Sequence, residues 1–338
     1  MKEAYLYQKL KNKTIKCRLC QHGCLITLGQ RGLCGVRENK SGVLYSLVYA
    51  QAISEAVDPI EKKPFFHFLP GSMALSVATL GCNLRCDNCQ NWPISQGVKT
   101  AGKIVGQDLP PEKIIEDALK NKCASIAYTY TEPTIFFEYA LDTMKLAKKK
   151  GLKNLFVSNG YMSDDCLKMA DGYLDAINVD LKFFDDQAYV KNCGAHLPPI
   201  LHNLTTLKKM GVWLEITTLV IPTLSDSTAM FEQMSEFIRH ELGPEVPWHL
   251  SRFSGSISYK LGNIPDTPVD TLVRARKIGL KNGLRYVYIG NVVGEGENTQ
   301  CPKCRALVIK RFGYDIERKD KQGRCPECGR KLEGKIIK

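Results

Sequence analysis

Three cysteines stand close together in the segment TLGCNLRCDNCQNWPISQ, residues 79–96. Cys82, Cys86 and Cys89 follow C-x3-C-x2-C spacing, so their thiolates can converge on one metal centre. A cubane [4Fe-4S] cluster ordinarily takes four thiolates, and three would leave one iron open to substrate. The alternative is a zinc knuckle that takes its fourth ligand from elsewhere in the chain. The triplet therefore predicts either a reactive iron-sulfur centre or a structural zinc site.

Two further cysteine groups flank the triplet. Near the C-terminus, two CPxC knuckles supply four thiolates, which is typical of a zinc ribbon: Cys301, Cys304, Cys325 and Cys328. Near the N-terminus, a glycine-rich stretch supplies another closed set, for which zinc and an auxiliary [4Fe-4S] cluster both remain open: Cys17, Cys20, Cys24 and Cys34. The isolated Cys123, Cys166 and Cys193 are interpreted as buried thiols without a ligand role.

The clustering of the cysteines bears on the cellular compartment. Of 14 cysteines, most fall in these tight groups, which suits metal ligands in a reducing compartment better than a disulfide framework. The N-terminus MKEAYLYQKLKNK has no apolar block, and no uncharged run reaches the length of a membrane span. We therefore expect a cytoplasmic protein without a membrane partner.

The net charge of +12 raises a second function class, nucleic-acid binding. Its distribution weakens that interpretation, because the last 42 residues carry 12 basic and 6 acidic side chains and much of the remainder is scattered lysine on predicted helices. A solvated surface explains the charge more simply. A basic zinc protein that binds nucleic acid without catalysis remains the alternative function.

The elements that must position the triplet alternate between strands and helices from about residue 73 to 290. Runs rich in β-branched and aromatic residues predict strands at 73–80, 125–131, 154–159, 176–183, 212–220, 248–253 and 285–290. Amphipathic segments that begin at Pro, Ser, Thr or Asp and end before Gly predict helices between them. The pattern predicts an α/β fold, a partial (βα)6-type TIM barrel, whose chemistry lies at the C-terminal ends of its strands. An open doubly wound sheet is less favoured, because no GxGxxG follows the first strand.

The chain accordingly divides into three predicted parts. Residues 1–60 form a cysteine-rich N-terminal extension, residues 61–295 the partial barrel, and residues 296–338 a zinc-ribbon tail. The triplet lies just after the first barrel strand, where a parallel barrel carries its catalytic loops.

This arrangement resembles the radical S-adenosylmethionine (SAM) enzymes. Segments along most of the chain, from CRLCQHGCLITLGQRGLCGVR through AYTYTEPTIFFEYA and DAINVDLKFF to RYVYIGNVVGEGENTQCPKC, look like the radical SAM enzymes of the AmmeMemoRadiSam system, which are related to pyruvate formate-lyase activating enzymes. The resemblance implies that the open iron binds the amino and carboxylate groups of SAM. It further implies that reductive cleavage of SAM gives a 5′-deoxyadenosyl radical, which removes hydrogen from a substrate that the sequence does not identify.

The resemblance also implies cofactor contacts at the strand ends. Glu132 would accept a hydrogen bond from the SAM amino group, with a helix-capping carboxylate as the alternative. Asn159, with Ser158 beside it, matches a ribose-contacting position, and an Asn-Gly turn is the alternative.

Charged and polar residues on two later strands complete the predicted site. Asp180 and Lys182 alternate on one strand, so both point to one face, where they either form ion pairs or reach the cofactor. His249 and Arg252 are weaker candidates for the adenosine or substrate end, and a buried core histidine is nearly as well supported.

The sequence departs from the family pattern at two positions. Asn88 stands where many members carry an aromatic residue near the adenine, although Trp92 is close by. Val157 replaces an Asp found in pyruvate formate-lyase activating enzymes, so a cation site built on that Asp is not expected here.

The resemblance finally implies partners. They are a reductant such as flavodoxin or ferredoxin, and Memo-like and AMMECR1-like proteins. Within the enzymes, a glycyl-radical enzyme activase, acting on a protein, is the alternative activity.

Overall fold

The computed structural model describes residues 1–336, and its strands and helices follow one another in the predicted order. The N-terminal strands are β1 (Lys2–Glu3), β2 (Tyr7–Lys9), β3 (Ile15–Cys17), β4 (Leu25–Ile26), β5 (Arg37–Lys40), β6 (Val43–Ser46) and β7 (Gln51–Ala52). The central strands are β8 (Ser54–Pro59), β9 (Met73–Ala78), β10 (Gln107–Asp108), β11 (Ser125–Tyr128), β12 (Lys153–Ser158), β13 (Ala176–Asp180), β14 (Trp213–Val220), β15 (Trp248–Arg252) and β16 (Val287–Gly290). The C-terminal strands are β17 (Thr299–Gln300), β18 (Leu307–Phe312) and β19 (Asp315–Arg318).

The helices lie mainly between the central strands. They are α1 (Trp92–Ser95), α2 (Gly97–Ala101), α3 (Pro111–Lys120), α4 (Phe137–Lys149), α5 (Asp164–Ala170), α6 (Asp186–Cys193), α7 (Leu197–Lys209), α8 (Thr228–Phe237) and α9 (Val269–Lys281). A π-helical turn, Ile238–Leu242, extends α8, and short 3-10 helices span Lys11–Lys13, Ile60–Lys62, Pro133–Phe136 and Gly255–Ile257. Pro111 in the first turn of α3 and the side-chain caps Ser163 and Ser227 explain where three of these helices begin.

The main sheet has the strand order β16-β15-β14-β13-β12-β11-β9-β8. All neighbours from β9 to β16 pair in parallel, which confirms the predicted α/β class with a parallel sheet. The sheet is open, since β8 and β16 lie at its two edges, as a partial barrel requires. The C-terminal ends of the parallel strands therefore meet along one edge, where the polar side chains of the site collect.

One edge strand was not predicted. The strand β8 pairs antiparallel with β9, with Ser54 opposite Ala78 and Pro59 opposite Met73. Sequence analysis assigned these residues to the N-terminal extension, but their backbone hydrogen bonds join them to the main sheet. The Asp and Pro in SEAVDP weaken the strand pattern, and an edge strand tolerates both. The three-part division of the chain otherwise stays a prediction.

Alternating side chains divide the sheet into two faces. The face toward the helices is apolar and contributes Leu75, Ile126 and Phe156 to the large core cluster. The opposite face is filled at its lower end by Phe65 and Phe68 from the β8–β9 connection. Burial of a large apolar side chain stabilises a fold by roughly 1.5–3 kcal/mol. Phe65 and Phe68 therefore hold the β8–β9 connection against the sheet.

A buried polar network lies beside these two phenylalanines. Glu215 accepts hydrogen bonds from the backbone N–H groups of Phe66 and His67 and lies 2.7 Å from His249 Nε2. His67 donates from Nδ1 to Glu333 O and accepts at Nε2 from the Tyr288 hydroxyl. Each of these buried polar atoms therefore has a hydrogen-bond partner within the protein.

The network includes His249. This residue is 2% exposed, stands second in β15, and packs its ring against Phe66 and Tyr288. It therefore lies near the start of its strand, and its imidazole binds a carboxylate. This geometry favours the buried-core alternative, and a contact of His249 with cofactor or substrate stays a prediction.

The neutral His67 provides a test of this network. Burial lowers the pKa of His67 to about 4, from 6.5, although Glu215 opposes the shift. Between these two pKa values the unfolded chain is protonated at this histidine and the folded chain is not. The contribution of His67 to stability is therefore fully present above the unfolded pKa and is lost as the pH falls toward 4. From about pH 7 to about pH 5 this residue should cost about 2 kcal/mol of the free energy of unfolding.

Denaturant unfolding of His67→Asn at both pH values measures this contribution. The variant should lose about 2 kcal/mol less than the wild type over that interval. His240→Asn makes the same substitution at an exposed histidine outside the network and is the matched control. Equal pH dependence in wild type and His67→Asn would contradict the prediction.

The C-terminal strands form a separate sheet in the order β17-β18-β19. Arg311 on β18 is 2% exposed and donates to Phe66 O, while Leu69 N donates to Lys335 O. The tail thus packs on the β8–β9 connection, at the end of the sheet away from the triplet. Within residues 1–336, none of the helices has the length and apolar character needed to cross a bilayer.

Candidate active site

The loop after β9 holds the cysteine triplet in a fixed conformation. Its backbone is tied to the end of α6, since Arg85 N donates to Cys193 O and Asp87 N donates to Asn192 O. On the other side, Gln96 and Lys99 both donate to Leu84 O. The loop is therefore anchored by side chains and backbone before any metal binds.

The surroundings of the three thiols favour the protonated form over the thiolate. Burial raises the pKa values of Cys82 and Cys89, and the pKa of Cys86 is raised well above its usual value, first by a hydrogen bond with Cys193 and then by burial. A coordinated metal deprotonates such thiols and compensates their charge. The thiol of Cys86 raises the pKa of both other thiols, so it lies near each of them.

The spacing and surroundings of the triplet fit a cluster. Within residues 1–336, the C-terminal quartet alone gathers three or more ligand atoms within 4.8 Å of one another, so the triplet is spread more widely than a single-ion site. In the same loop the 8% exposed Asn88 has an Oδ1 without a partner in the part of the chain described here. An incomplete buried polar set is what a site completed by a bound group would show.

Glu132 lies at the end of β11 beside this loop. Its Oε1 accepts from Thr134 N, Thr134 Oγ1 and Ser158 Oγ, while Oε2 accepts only from Asn159 N, at 2.8 Å. The side chain is 3% exposed, and burial raises its pKa although all these donors oppose the shift. It also raises the pKa of Cys82, so it lies close to the triplet. Oε2 retains a lone pair for a further donor.

Both interpretations of Glu132 therefore receive support. It caps the 3-10 helix Pro133–Phe136, as the alternative expected, and its second oxygen faces the strand ends. The contact with a cofactor stays a prediction.

Asn159 follows β12 and links that strand end to the triplet. Its Nδ2 donates to Asn83 Oδ1 at 2.8 Å and lies 3.9 Å from Cys82 Sγ, while its Oδ1 accepts from Tyr161 N. Ser158 uses its hydroxyl within the protein, donating to Glu132 and accepting from Gly160 N. In this structure Ser158 therefore orients Glu132, and its contact with the cofactor stays a prediction.

Asp180 and Lys182 form an ion pair next to the middle of the triplet. Lys182 Nζ lies 2.8 Å from Asp180 Oδ2. The pKa of Lys182 is raised well above its usual value, because Asp180 and the thiols of Cys86 and Cys193 outweigh the opposing effect of burial. The ion-pair alternative is therefore observed, with the ammonium near the thiols of Cys86 and Cys193, and a contact with the cofactor stays a prediction.

Arg252 turns away from this group. Its Nε donates to Thr267 O, and Nη2 lies 3.7 Å from Asp266 Oδ2. Alternation along β15 places Arg252 on the face opposite His249 and Ser251. Arg252 therefore holds the loop that follows β15, and its place at the adenosine or substrate end stays a prediction.

That loop, residues 254–266, lies over the triplet loop. Ser258 Oγ and Lys260 N both donate to Asp87 O, and Lys260 Nζ lies 2.9 Å from Asp87 Oδ1. Trp92 stacks on Tyr259, with ring centroids 5.2 Å apart. The ring of Trp92 therefore helps to hold this loop against the triplet loop.

Two residues near the triplet escaped sequence reasoning. Cys193 is fully buried and hydrogen-bonds to Cys86, although it lies more than 100 positions away in the chain. Lys99 is mostly buried, and the thiols of Cys82, Cys34 and Cys86 oppose the burial that lowers its pKa. Only the fold brings these residues to the site, so no local pattern marked them.

The C-terminal quartet forms a compact site at the far end of the molecule. Cys301 and Cys328 Sγ lie 3.6 Å apart, Cys304 and Cys325 Sγ lie 3.5 Å apart, and all four sulfur atoms are within 4.8 Å of one another. A zinc ion about 2.3 Å from each thiolate would hold sulfurs about 3.8 Å apart. Backbone N–H groups of Cys328 and Glu327 outweigh burial and lower the pKa of Cys325 to about 7.

The N-terminal quartet lines a cavity directly beside the triplet loop. All four cysteines contribute to its wall, together with Asn83 from the triplet loop. His22 Nε2 lies 2.9 Å from Asn83 O, so the two cysteine loops are joined by a hydrogen bond.

Comparison with known proteins agrees with this geometry. The profile of the Radical SAM superfamily matches residues 76–238, which include the triplet and the strand ends described above. An uncharacterized protein of Methanocaldococcus jannaschii, MJ0808, is 43% identical over 98% of this chain and 99% of its own length. The pyruvate formate-lyase-activating enzyme of Clostridium pasteurianum is 24% identical over 54% of this chain and 80% of its own.

Solved structures add information on the fold alone. Streptococcus suis SuiB, bound to the precursor peptide SuiA, aligns with a TM-score of 0.51 over 70% of this chain and 52% of that chain, at 12% identity. At this identity the alignment supports the parallel α/β architecture and nothing about the substrate.

Proposed function

This chain belongs to the radical SAM superfamily, and we propose that it cleaves SAM reductively to start radical chemistry on a substrate held beneath residues 254–266. Cleavage of SAM is general for the family, and such enzymes generally draw electrons from a reductant such as flavodoxin or ferredoxin. The proposal adds which residues of this chain hold the reactants.

The triplet is proposed to hold the cluster through Cys82, Cys86 and Cys89. A cluster bound there would supply the electron for reductive cleavage of SAM, and SAM would supply the group that abstracts hydrogen from the substrate. Lys182 compensates thiolate charge at Cys86, and Asp180 fixes the ammonium in place.

The strand ends are proposed to orient SAM. Glu132 Oε2, with its spare lone pair, would accept from the amino group, and Asn159 positions both Glu132 and the loop at Cys82. Ser158 holds the other carboxylate oxygen. Residues 254–266 keep water away through their contacts with Asp87 and Trp92.

A single observation carries this proposal. The fold brings the buried carboxylate of Glu132, the amide of Asn159 and the ammonium of Lys182 to one triplet of thiols, although these residues come from separate strands. A zinc knuckle needs none of these groups.

The test is anaerobic incubation of the full chain with SAM and dithionite. Formation of 5′-deoxyadenosine together with about four irons at the triplet would support the proposal. A protein that holds only zinc and forms no 5′-deoxyadenosine would instead support the nucleic-acid-binding alternative. Deuterium transfer from candidate substrates into 5′-deoxyadenosine would then identify the target.

The finer assignments rest on sequence resemblance. We propose that the chain belongs to the AmmeMemoRadiSam branch, with Memo-like and AMMECR1-like proteins as partners and the cytoplasm as its compartment. The similarity to an activating enzyme favours a second candidate, activation of a glycyl-radical enzyme. Deuterium transfer from a protein backbone glycine would distinguish that activity from one on a small molecule.

We also propose that the C-terminal quartet holds structural zinc, in agreement with its compact sulfur geometry. Cys301→Ser combined with Cys325→Ser should remove about one zinc per chain and lower the melting temperature by several degrees, because metal binding supplies folding free energy. Mass spectrometry of bound metals and calorimetry measure these effects. The iron content should stay unchanged, and retention of the zinc by this variant would contradict the assignment.

A further inference from the structure

The N-terminal cysteine quartet differs from the C-terminal quartet in the spacing of its sulfur atoms. Its four cysteines line a cavity of about 20 Å³. Within residues 1–336, the C-terminal quartet alone brings its ligand atoms within 4.8 Å, so the N-terminal sulfur atoms stand farther apart than four thiolates around one ion. The cavity is therefore suited to a group larger than a zinc ion.

Two residues that line the cavity each have a hydrogen-bond donor without an acceptor in residues 1–336. Arg37 and Asn83 both line it, and in the described part of the chain Arg37 Nε and Asn83 Nδ2 lack any acceptor. The two residues are 1% and 4% exposed. The terminal nitrogens of Arg37 are bound to Glu138 at 2.8 to 3.0 Å, so only Nε–H remains for the cavity.

These unpartnered donors identify the kind of ligand. Inorganic sulfides and cysteine sulfurs of an iron-sulfur cluster accept N–H hydrogen bonds, and such bonds tune its reduction potential. The guanidinium of Arg37 also lowers the pKa values of Cys24 and Cys34, against the effect of burial, so its charge faces the thiolates. Apolar side chains complete the wall: Leu19, Ile26, Leu33 and Ile135.

The cavity also touches the triplet loop. Asn83 follows Cys82 in the chain and hydrogen-bonds to His22, which lies between Cys20 and Cys24. A Cβ at Gly81, whose φ is +97°, would lie 2.7 Å from Cys34 O, so the two loops are in van der Waals contact. The thiols of Cys34, Cys82 and Cys86 all act to raise the pKa of Lys99, so its ammonium lies near both cysteine groups.

We infer that the N-terminal quartet holds an auxiliary [4Fe-4S] cluster that passes electrons to the cluster of the triplet; the relay rests on the function proposed above. A one-electron donor of the ferredoxin or flavodoxin class reduces the quartet cluster and leaves oxidised. The same electron then moves to the triplet cluster, and the quartet cluster returns to its oxidised state. No bond forms or breaks in this step.

Metal content of the full chain tests the inference. Iron, acid-labile sulfide and zinc are measured on the wild type, on Cys82→Ala/Cys86→Ala/Cys89→Ala, and on Cys20→Ser/Cys24→Ser. The wild type should hold about eight irons and each variant about four, with matching sulfide. An iron-free triplet variant that holds zinc in both quartets would overturn the inference.

This design separates the two proposals. Iron in the triplet variant but none in the quartet variant would sustain the auxiliary cluster and refute the function proposed for the triplet. The reverse would sustain the triplet and refute the auxiliary cluster. The triplet variant leaves the quartet intact, so its iron content remains informative even if the quartet variant fails to fold.

The relay has its own measurement. Freeze-quench electron paramagnetic resonance follows reduction of the triplet cluster by reduced ferredoxin in the wild type and in Cys20→Ser/Cys24→Ser. We expect a severalfold loss of rate in the variant, with SAM binding retained. Cys123→Ser, at a buried cysteine outside the three groups, is the matched control and should match the wild type. Equal rates in the quartet variant and the wild type would overturn the relay.

Discussion

Replacing Cys86 by alanine is expected to abolish formation of 5′-deoxyadenosine and to remove about four irons per chain. Cys86 is the middle ligand of the triplet, is 8% exposed, and influences the pKa of both Cys82 and Cys89. Its loss leaves two thiolates, which cannot hold three irons of a cubane. Iron analysis and chromatography of the reaction products measure the two effects.

Two other cysteines provide the controls. Cys123→Ala makes the same substitution at a buried thiol outside the site and should retain both iron and activity. Cys193→Ser is more demanding, because Cys193 hydrogen-bonds to Cys86. If the triplet leaves one iron open to SAM, Cys193→Ser keeps its cluster. Loss of the cluster in that variant would mean that Cys193 is a fourth ligand, and the proposed SAM site would then be closed.

The strands of the sheet could be predicted because their sequences carry strong local signals. Runs such as WHLSRF and RYVYIG are rich in aromatic and β-branched residues, and the observed β15 and β16 fall within the predicted bounds. The edge strand β8 could not be predicted in this way, because SEAVDP owes its extended conformation to pairing with β9. Parallel order and the open edge then follow from the repeated βα connections.

The site was predictable only where a residue follows directly from a strand end. Glu132, Asn159 and Asp180 stand at the ends of β11, β12 and β13, and the parallel sheet gathers them at one edge. Spacing along a strand could not predict the partners of two other candidates, because these partners come from neighbouring elements. His249 pairs with Glu215 of β14, and Arg252 binds a carbonyl and a carboxylate of the loop after β15.

Contacts between distant segments had no local signal. Cys193 reaches Cys86 because α6 ends beside the triplet loop, and His22 reaches Asn83 because the N-terminal extension packs on that loop. The buried ion pair of Arg37 with Glu138 on α4 holds the extension in this position. Such pairings depend on tertiary packing, which no spacing rule encodes.

Replacing Glu132 by glutamine is expected to weaken SAM binding by about 10-fold to 100-fold, the range for losing a hydrogen bond to a charged group. Glutamine keeps one acceptor oxygen, which can still cap Thr134 N at the start of the 3-10 helix. The amide nitrogen, however, then takes the place of Oε2. It cannot accept a hydrogen bond from Asn159 N or from the amino group of SAM. Anaerobic calorimetry of SAM binding, beside iron analysis, measures the effect with the cluster still present.

The two roles of Glu132 predict different outcomes for this variant. A residue that only caps the 3-10 helix would tolerate glutamine, with SAM affinity close to that of the wild type, and this result would contradict the proposed contact. Ser158→Ala, which frees Oε1 but leaves Oε2 charged, should weaken binding less than Glu132→Gln. Glu116→Gln on α3, at an exposed carboxylate, is the matched control and should change nothing. A graded loss across these three variants would show that the second carboxylate oxygen, oriented by its neighbours, contacts SAM.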